Sequence, residues 1–186
     1  MKYIYLILYL SFFLVIVWCT SDVIEKPIQT ITFADYNMNI FTGYQLSNKE
    51  SLIDNRISQK VLAVYRQNWP SLSFSDNIII STDNLTPRAS LDDYVQASIG
   101  GIVYTRWKYA SLSFDKSILS CNWKNIPTII NTFSIYRTPL NDPPETLYFA
   151  QYFVHNDDEI VIVSASTNQE DTLSSLKTMF KTLVCI

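Results

Sequence analysis

The sequence has little of what catalytic and metal sites usually require. Its 186 residues include one histidine, three glycines and three cysteines. A single histidine cannot build a histidine-rich zinc site, and so few glycines cannot form a glycine-rich loop around a phosphate group. Basic residues number 14 and acidic residues 17, which gives a net charge of −3. This balance lacks the basic field typical of nucleic-acid-binding proteins, so we expect no nucleic-acid partner and no cofactor.

Apolar residues, in contrast, are abundant. Hydrophobic residues make up 48% of the chain and aromatic residues 14%, whereas charged residues make up 17%. Such a composition excludes a disordered chain and predicts a substantial core. The length suits one domain better than two.

The first 19 residues form the most distinctive segment. Lys2 is the only charged residue before Asp22, and residues 3–18 are apolar except for Ser11. The run falls between the lengths of a secretory apolar region, about 7–15 residues, and a membrane-spanning helix, about 17–25. Because the positive charge precedes the run, we expect the N-terminus to stay in the cytoplasm. The rest of the chain then faces the periplasm or the cell surface.

The run ends at Cys19, and this ending resembles a bacterial lipoprotein signal. Trp18 departs from that pattern, because a small residue is expected before the cysteine. Three fates stay open for residues 1–19: lipidation at Cys19, retention as an uncleaved membrane anchor, and conventional cleavage nearby. Residues 20–30 are polar and read as a tether, and residues 31–186 as a single folded domain.

Export would place the other two cysteines, Cys121 and Cys185, in an oxidising compartment. An even pair in an oxidising compartment is a disulfide candidate, so we predict a bond between Cys121 and Cys185. Two separately buried thiols are the alternative.

Three segments carry helix signals. The first begins with a capping-box pattern at Ser47 and has apolar residues at helical spacing up to Val64, although residues 61–65 also have strand character. The second is predicted to be capped by Ser90 and to weaken at the glycine pair 100–101. The third is predicted to be capped by Asn168 and to run to about Leu183.

Strand signals fill the stretches between the helices. Residues 110–115, 119–124 and 132–135 alternate apolar and polar, which predicts strands covered on one face. On this pattern Leu112 faces the core, and Leu112→Asp is expected to unfold the domain. Residues 77–81, 147–154 and 159–165 are apolar on both faces and are predicted as central strands.

The order of these elements predicts an α+β fold. A turn at residues 155–158 is expected to join the last two central strands as an antiparallel hairpin. One antiparallel sheet with helices packed on it accounts for the whole pattern.

Three stretches of the sequence resemble one known superfamily. They are residues 77–81 (Asn-Ile-Ile-Ile-Ser) followed by 90–95 (Ser-Leu-Asp-Asp-Tyr-Val), residues 151–154 leading to 160–165, and the helix end at 179–183. This layout is similar to the PsbP/Mog1/DcrB-like superfamily, and the similarity extends over about residues 33–183. The resemblance implies an α/β/α sandwich around an antiparallel sheet and a non-catalytic binding or assembly role. It carries over no functional residue.

The remaining chemistry centres on His155 and the acidic residues after it. His155 is the only histidine, and it precedes Asp157, Asp158 and Glu159 in the predicted turn. A catalytic histidine needs a nucleophile within hydrogen-bond reach, and a calcium loop needs spaced oxygen ligands. A solvated turn explains these residues better, so we predict no catalytic and no metal-ligating residues.

Three functional hypotheses follow. The favoured one is a membrane-tethered, extracytoplasmic, non-catalytic module that binds a ligand or assembles with an envelope protein. The second is a carrier that holds a small apolar ligand between the helix at residues 90–102 and the sheet. The third is an unrecognised hydrolase that uses His155.

Overall fold

A computed structural model of the protein describes residues 28–47, 60–67, 76–85, 89–103, 108–138 and 144–186. The predictions made for residues 1–19, for most of the tether and for the first part of the helix signal after Ser47 lie outside these ranges.

Ten strands and two helices make up the described part of the chain. In order they are β1 (Ile28–Phe33), β2 (Tyr36–Phe41), β3 (Tyr44–Leu46), β4 (Lys60–Gln67), β5 (Asn77–Asn84), α1 (Leu91–Val103), β6 (Lys108–Ser120), β7 (Asn125–Arg137), β8 (Glu145–Asn156), β9 (Glu159–Thr167), α2 (Glu170–Phe180) and β10 (Val184–Cys185).

Seven of the strands form one antiparallel sheet in the order β3-β4-β5-β9-β8-β7-β6. A second, three-stranded sheet has the order β1-β2-β10. Helix α1 packs on one face of the large sheet, and α2 packs on the other face together with the small sheet. The predicted α+β class, an antiparallel sheet flanked by helices, is therefore confirmed.

Strands β5, β9 and β8 lie next to one another in the middle of the large sheet, as their two-sided apolar pattern predicted. Alternate residues of β9 supply two separate cores, because successive side chains point to opposite faces of a sheet. Val161 and Val163 join the core under α2, whereas Ile160 and Ile162 join the smaller core under α1.

The hairpin between β8 and β9 is also confirmed, but its turn is shorter than predicted. Only Asp157 and Asp158 lie outside the two strands, and Asp157 has a positive φ of 59°. His155 lies within β8, opposite Ile160. It was expected in the turn, but the strand pairing extends two residues further than the loss of apolar residues indicated.

Strand β4 settles the ambiguous residues that followed the first helix signal. Residues 60–67 form a strand, with Val64 opposite Ile79 of β5. The β-branched and aromatic character of residues 61–65 favours this pairing over the helical spacing.

The prediction that Leu112 faces the core is wrong. Leu112 is 47% exposed and lies in an irregularity of the β6–β7 register between Ser111 and Ser113. The extra residue interrupts the inside–outside alternation on which the prediction depended. The expectation that Leu112→Asp unfolds the domain therefore loses its basis.

Each helix begins close to the predicted residue, but only one begins with the predicted cap. The Ser90 hydroxyl accepts a hydrogen bond from the Asp93 backbone N–H at 3.1 Å, and the Asp93 carboxylate accepts one from the Ser90 backbone N–H at 3.0 Å. At α2 the N-cap is Gln169 instead of Asn168, and its side chain makes no capping bond.

Candidate functional site

Within the part of the chain that the structure describes, the β6 strand forms an open edge of the large sheet. Among the described strands it pairs with β7 alone, and four consecutive residues, 115–118, are exposed. Leu112 and Ile118 on this strand are 47% and 67% exposed, and Trp123 in the following turn is 50% exposed. We call these three side chains and the outer rim of β6 the β6 edge. An open edge presents backbone N–H and C=O groups to which another extended chain can pair.

Ion pairs within the chain neutralise most charges along this edge. Lys116 contacts Asp92 of α1 at 2.7 Å, and Asp115 contacts Lys177 of α2 at 2.8 Å. The hydrogen bond from Lys177 lowers the pKa of the Asp115 carboxyl below its usual value. Lys116 and Asp115 on the two faces of β6 are thus paired with helices α1 and α2 of the same molecule. Leu112 and Ile118 are the exposed apolar side chains of the strand.

A row of polar side chains crosses the middle of the large sheet on the α1 side. Asn131 of β7 lies opposite Gln151 of β8, which lies opposite Ser164 of β9. The Gln151 side-chain Nε2 donates to the Ser164 hydroxyl at 3.3 Å. We call Asn131, Gln151 and Ser164 the amide row.

Asn131 is buried and Gln151 and Ser164 are half-buried, and part of the amide row has no hydrogen-bond partner in the described structure. Asn131 is fully buried, and neither its Oδ1 nor its Nδ2 is hydrogen-bonded. The Oε1 atom of Gln151 is likewise inaccessible and unpartnered. The large majority of buried side-chain polar atoms in proteins are hydrogen-bonded, so three unpartnered atoms on two facing residues are unusual.

Apolar residues border the amide row on both sides. Phe133 and Phe149, a facing pair on β7 and β8, stack with ring centroids 5.0 Å apart. On the other side Ile129 and Phe153 belong to the core under α1. The amide row is therefore a polar patch on an otherwise apolar, mainly aromatic face of the sheet.

Among the described residues, none is hydrogen-bonded to His155 in the way that a catalytic base requires. Its Nε2 atom is buried without a hydrogen-bond partner in the described structure, and no hydrogen bond joins its ring to Asp157, Asp158 or Glu159. No group of three potential metal ligands occurs within the described ranges. The hydrolase hypothesis therefore has no observation in its favour.

Cys121 and Cys185 form a disulfide with their Cα atoms 5.5 Å apart. Cys121 follows β6, and Cys185 lies in β10, so the bond joins the large sheet to the small one. It lies on the side of α2, away from the amide row. Cys19, the predicted lipidation site, lies outside the described residues.

Sequence reasoning missed the amide row. Asn131 is the one amide in the stretch Ile129-Ile130-Asn131-Thr132-Phe133, where the alternation of β7 also breaks down. An amide inside an otherwise apolar strand was the available signal. Gln151 gave no comparable signal, because its burial depends on how β8 pairs with β7 and β9.

Neither a family model nor a curated protein is similar to this chain in sequence. Solved structures are similar in fold. The solution structure of cyanobacterial PsbP from Synechocystis has a TM-score of 0.59 at 10% identity, covering 90% of this chain and 96% of that one. The Ran-binding protein Mog1p of Saccharomyces cerevisiae has a TM-score of 0.54 at 10% identity, covering 86% and 96%. The PA94 protein of Pseudomonas aeruginosa has a TM-score of 0.53 at 13% identity, covering 86% and 97%.

The chain has a PsbP/Mog1-like fold, as the sequence resemblance implied. Folds of this kind do not define a function, which has to be argued from the sites. Within the described residues no helix is long and apolar enough to cross a membrane.

Proposed function

We propose that this protein is a non-catalytic binding module, held by its N-terminal segment on the outer side of a membrane, whose β6 edge receives an extended strand of a partner protein. The observation that carries the proposal is the combination of an open thirteen-residue edge strand with exposed apolar side chains. Strand addition derives its affinity from backbone hydrogen bonds and its specificity from alternate side chains.

The chemistry of the edge indicates the partner's chemistry. Lys116 and Asp115 are engaged by Asp92 and Lys177, so they offer little to a charged partner. Leu112 and Ile118 remain exposed and lie on either side of these pairs. A partner segment of alternating apolar and uncharged polar residues fits this edge better than an acidic or basic one. A protein partner also agrees with the similarity in fold to Mog1p, which is a Ran-binding protein.

The experiment compares two edges of the same sheet. Ile118 on β6 and Leu46 on β3 are 67% and 66% exposed, so Ile118→Asp and Leu46→Asp introduce the same charge at opposite edges. With a partner cross-linked to the full chain in its own membrane, we expect Ile118→Asp to abolish the cross-link and Leu46→Asp to preserve it. In the complex the β6 amides should also exchange hydrogen more slowly.

Equal loss of the cross-link in both variants would contradict docking at the β6 edge, as would unchanged exchange of the β6 amides. A second copy of this chain, pairing through its own β6, is the alternative occupant of the same edge. Analytical ultracentrifugation of the full chain in detergent would reveal such a dimer, and Ile118→Asp would then dissociate it.

The membrane tether requires a separate test. We expect the mature protein in the membrane fraction, with its domain accessible to protease added outside the cytoplasmic membrane. Intact mass distinguishes the three fates of residues 1–19, because lipidation makes Cys19 the modified first residue and an uncleaved anchor retains Met1 or Lys2. Mature protein found in the cytosol would contradict the tether.

A further inference from the structure

The amide row has hydrogen-bonding capacity that the protein does not use. An unpartnered buried donor or acceptor costs about 1–3 kcal/mol. Asn131 leaves one acceptor and two N–H donors, and Gln151 leaves one acceptor, all on residues that face each other across β7 and β8. A group from outside the described structure that hydrogen-bonds to these atoms would remove this cost.

The free atoms specify the chemistry of that group. It must accept a hydrogen bond from Asn131 Nδ2 and donate to Asn131 Oδ1 or Gln151 Oε1. The residues that share this level of the sheet with the amide row on the α1 face are Phe114 and Ile79, which carry no charge. A charged ligand would therefore lack a counter-ion, and burying it would be unfavourable.

We propose that the amide row binds a small neutral ligand that carries an adjacent donor and acceptor, an amide-type group, on an apolar body. The body packs among the rings of Phe133, Phe149 and Phe153 on the α1 side, and because Phe133 and Phe153 are each 1% exposed, a ligand there is enclosed by the protein. The sequence suggested a carrier of an apolar ligand. The amide row makes this more specific, because its polar atoms would bind one end of the ligand. The inference does not depend on the β6 edge.

A buried water molecule is the competing occupant. A site with two to four polar partners can hold one, and the amide row supplies that number. Water differs from the proposed ligand in that it uses only the polar atoms, whereas the ligand also contacts the aromatic rings. The probes therefore all carry an apolar body of similar size and differ in the group attached to it.

The test uses three probes of similar size on the full chain in detergent: benzamide, ethylbenzene and benzoate. NMR spectra report the side-chain amide groups of Asn131 and Gln151 directly. We expect benzamide to shift both pairs of signals in a saturable way. Ethylbenzene lacks the polar group and benzoate brings a charge, so each should bind at least tenfold more weakly than benzamide.

Two variants separate binding at this site from partition into detergent. Asn131→Leu and Gln151→Met remove the polar atoms with little change in volume, and both should lower benzamide affinity at least tenfold. Asn131→Leu removes only unpartnered groups and is expected to preserve the fold, whereas Gln151→Met also gives up the hydrogen bond to Ser164 and should cost about 1 kcal/mol. Asn125→Leu is the matched control, because Asn125 lies on the same strand but is exposed. It should leave benzamide binding unchanged.

Native mass spectrometry of the full chain then reports a ligand retained from the cell. A co-purifying neutral mass that Asn131→Leu loses would support the proposal. If no such mass is found and benzamide leaves the Asn131 signals unchanged, the amide row holds water only and the proposal is overturned. Equal benzamide binding by wild type and Asn131→Leu would overturn it as well. Neither result bears on partner binding at the β6 edge.

Discussion

Single residues show most clearly where burial and hydrogen bonding conflict. Tyr36 is 1% exposed, and its hydroxyl is buried without a partner in the described structure. Burial, with a contribution from Asp35, raises the pKa of this tyrosine to about 12. Like the amide row, its hydroxyl is a polar group retained in an apolar core.

Tyr36→Phe should not weaken the protein at neutral pH, because it removes only the unpartnered hydroxyl. We expect the free energy of unfolding at pH 7 to be unchanged or to rise by up to about 1 kcal/mol. Above pH 10, the usual pKa, Tyr36 ionises in unfolded wild-type chains but not in folded ones, which destabilises wild type only. The advantage of the variant should therefore grow with pH in urea denaturation experiments.

Tyr136→Phe is the control for Tyr36→Phe, because the Tyr136 side chain is 41% exposed. Its stability should match wild type at pH 7. A loss of more than about 1 kcal/mol in Tyr36→Phe would mean that the hydroxyl has a partner after all.

The sequence predicts residue properties well where they depend on composition or compartment. The pairing of Cys121 with Cys185 was expected from export and an even count, and the structure contains that disulfide. Burial of an individual side chain was predicted less well. Leu112 was expected inside and lies at the surface, because one extra residue in β6 changes which side chains face the core.

Among the secondary-structure elements, the two helices differ in how they begin. At α1, Ser90 and Asp93 bond reciprocally, and the Ser90 hydroxyl and backbone N–H both donate to the Asp93 carboxylate, which lowers the pKa of that carboxyl. At α2, Gln169 occupies the cap position without a side-chain capping bond. The local sequence identifies a cap where the bonds are local, whereas at α2 the preceding strand β9 extends to Thr167 and fixes the start of the helix.

Ser90→Ala should destabilise the protein, whereas Asn168→Ala should not. Loss of a serine cap costs about 1 kcal/mol, and Asn168 caps no helix in the structure. Thermal and urea denaturation of the two variants measure the difference. Equal losses in both would indicate that Asn168 supports α2 in a way that the structure does not show.

Lys177 connects α2 to β6, and its contribution should depend on pH. Since its hydrogen bond lowers the pKa of Asp115, the stabilisation is complete above the usual carboxyl pKa of 3.8 and is lost as the pH falls through the lowered value. The pair is partly exposed, so Lys177→Met should cost at most about 1 kcal/mol at pH 7.

The difference between Lys177→Met and wild type should shrink between pH 7 and acid pH, because Asp115 becomes protonated in both as the pH falls through its lowered pKa. Lys60→Met, at an exposed position of β4, serves as the control and should show no such dependence. A loss that is the same at both pH values would assign the effect of Lys177 to packing of its aliphatic chain.

For the whole molecule, the order of strand and helix patterns was enough to predict the layers. Three two-sided apolar strands became the centre of the sheet, with a helix on each face. The small sheet was not predicted, because β10 has only two residues and pairs with β2 across almost the whole domain. Such pairing leaves no local pattern in the sequence. The amide row escaped prediction for the same reason, since register across three strands creates it.

Opening the disulfide should weaken the entire domain. Cys121 and Cys185 are 64 residues apart, and closing a loop of that size stabilises a fold by about 4 kcal/mol in the chain-entropy model. We expect reduction to lower the Tm of wild type markedly. A Cys121→Ser/Cys185→Ser double variant should have the lower Tm from the outset and should not respond to the reductant. An unchanged Tm of wild type on reduction would rule out the bond in solution.

Strand β2 has one neighbour made just before it, β1, and another made last, β10. During synthesis β2 therefore pairs with β1 alone until nearly all the remaining residues have left the ribosome and β10 can pair with its other side. If the chain crosses a membrane while it is being made, this hairpin emerges before the other described strands. It then remains without β10 until the end of synthesis. Factors that assist the folding of newly exported chains would be expected to contact this hairpin first. Formation of the Cys121–Cys185 disulfide would fix β10 beside β2 and end the need for them.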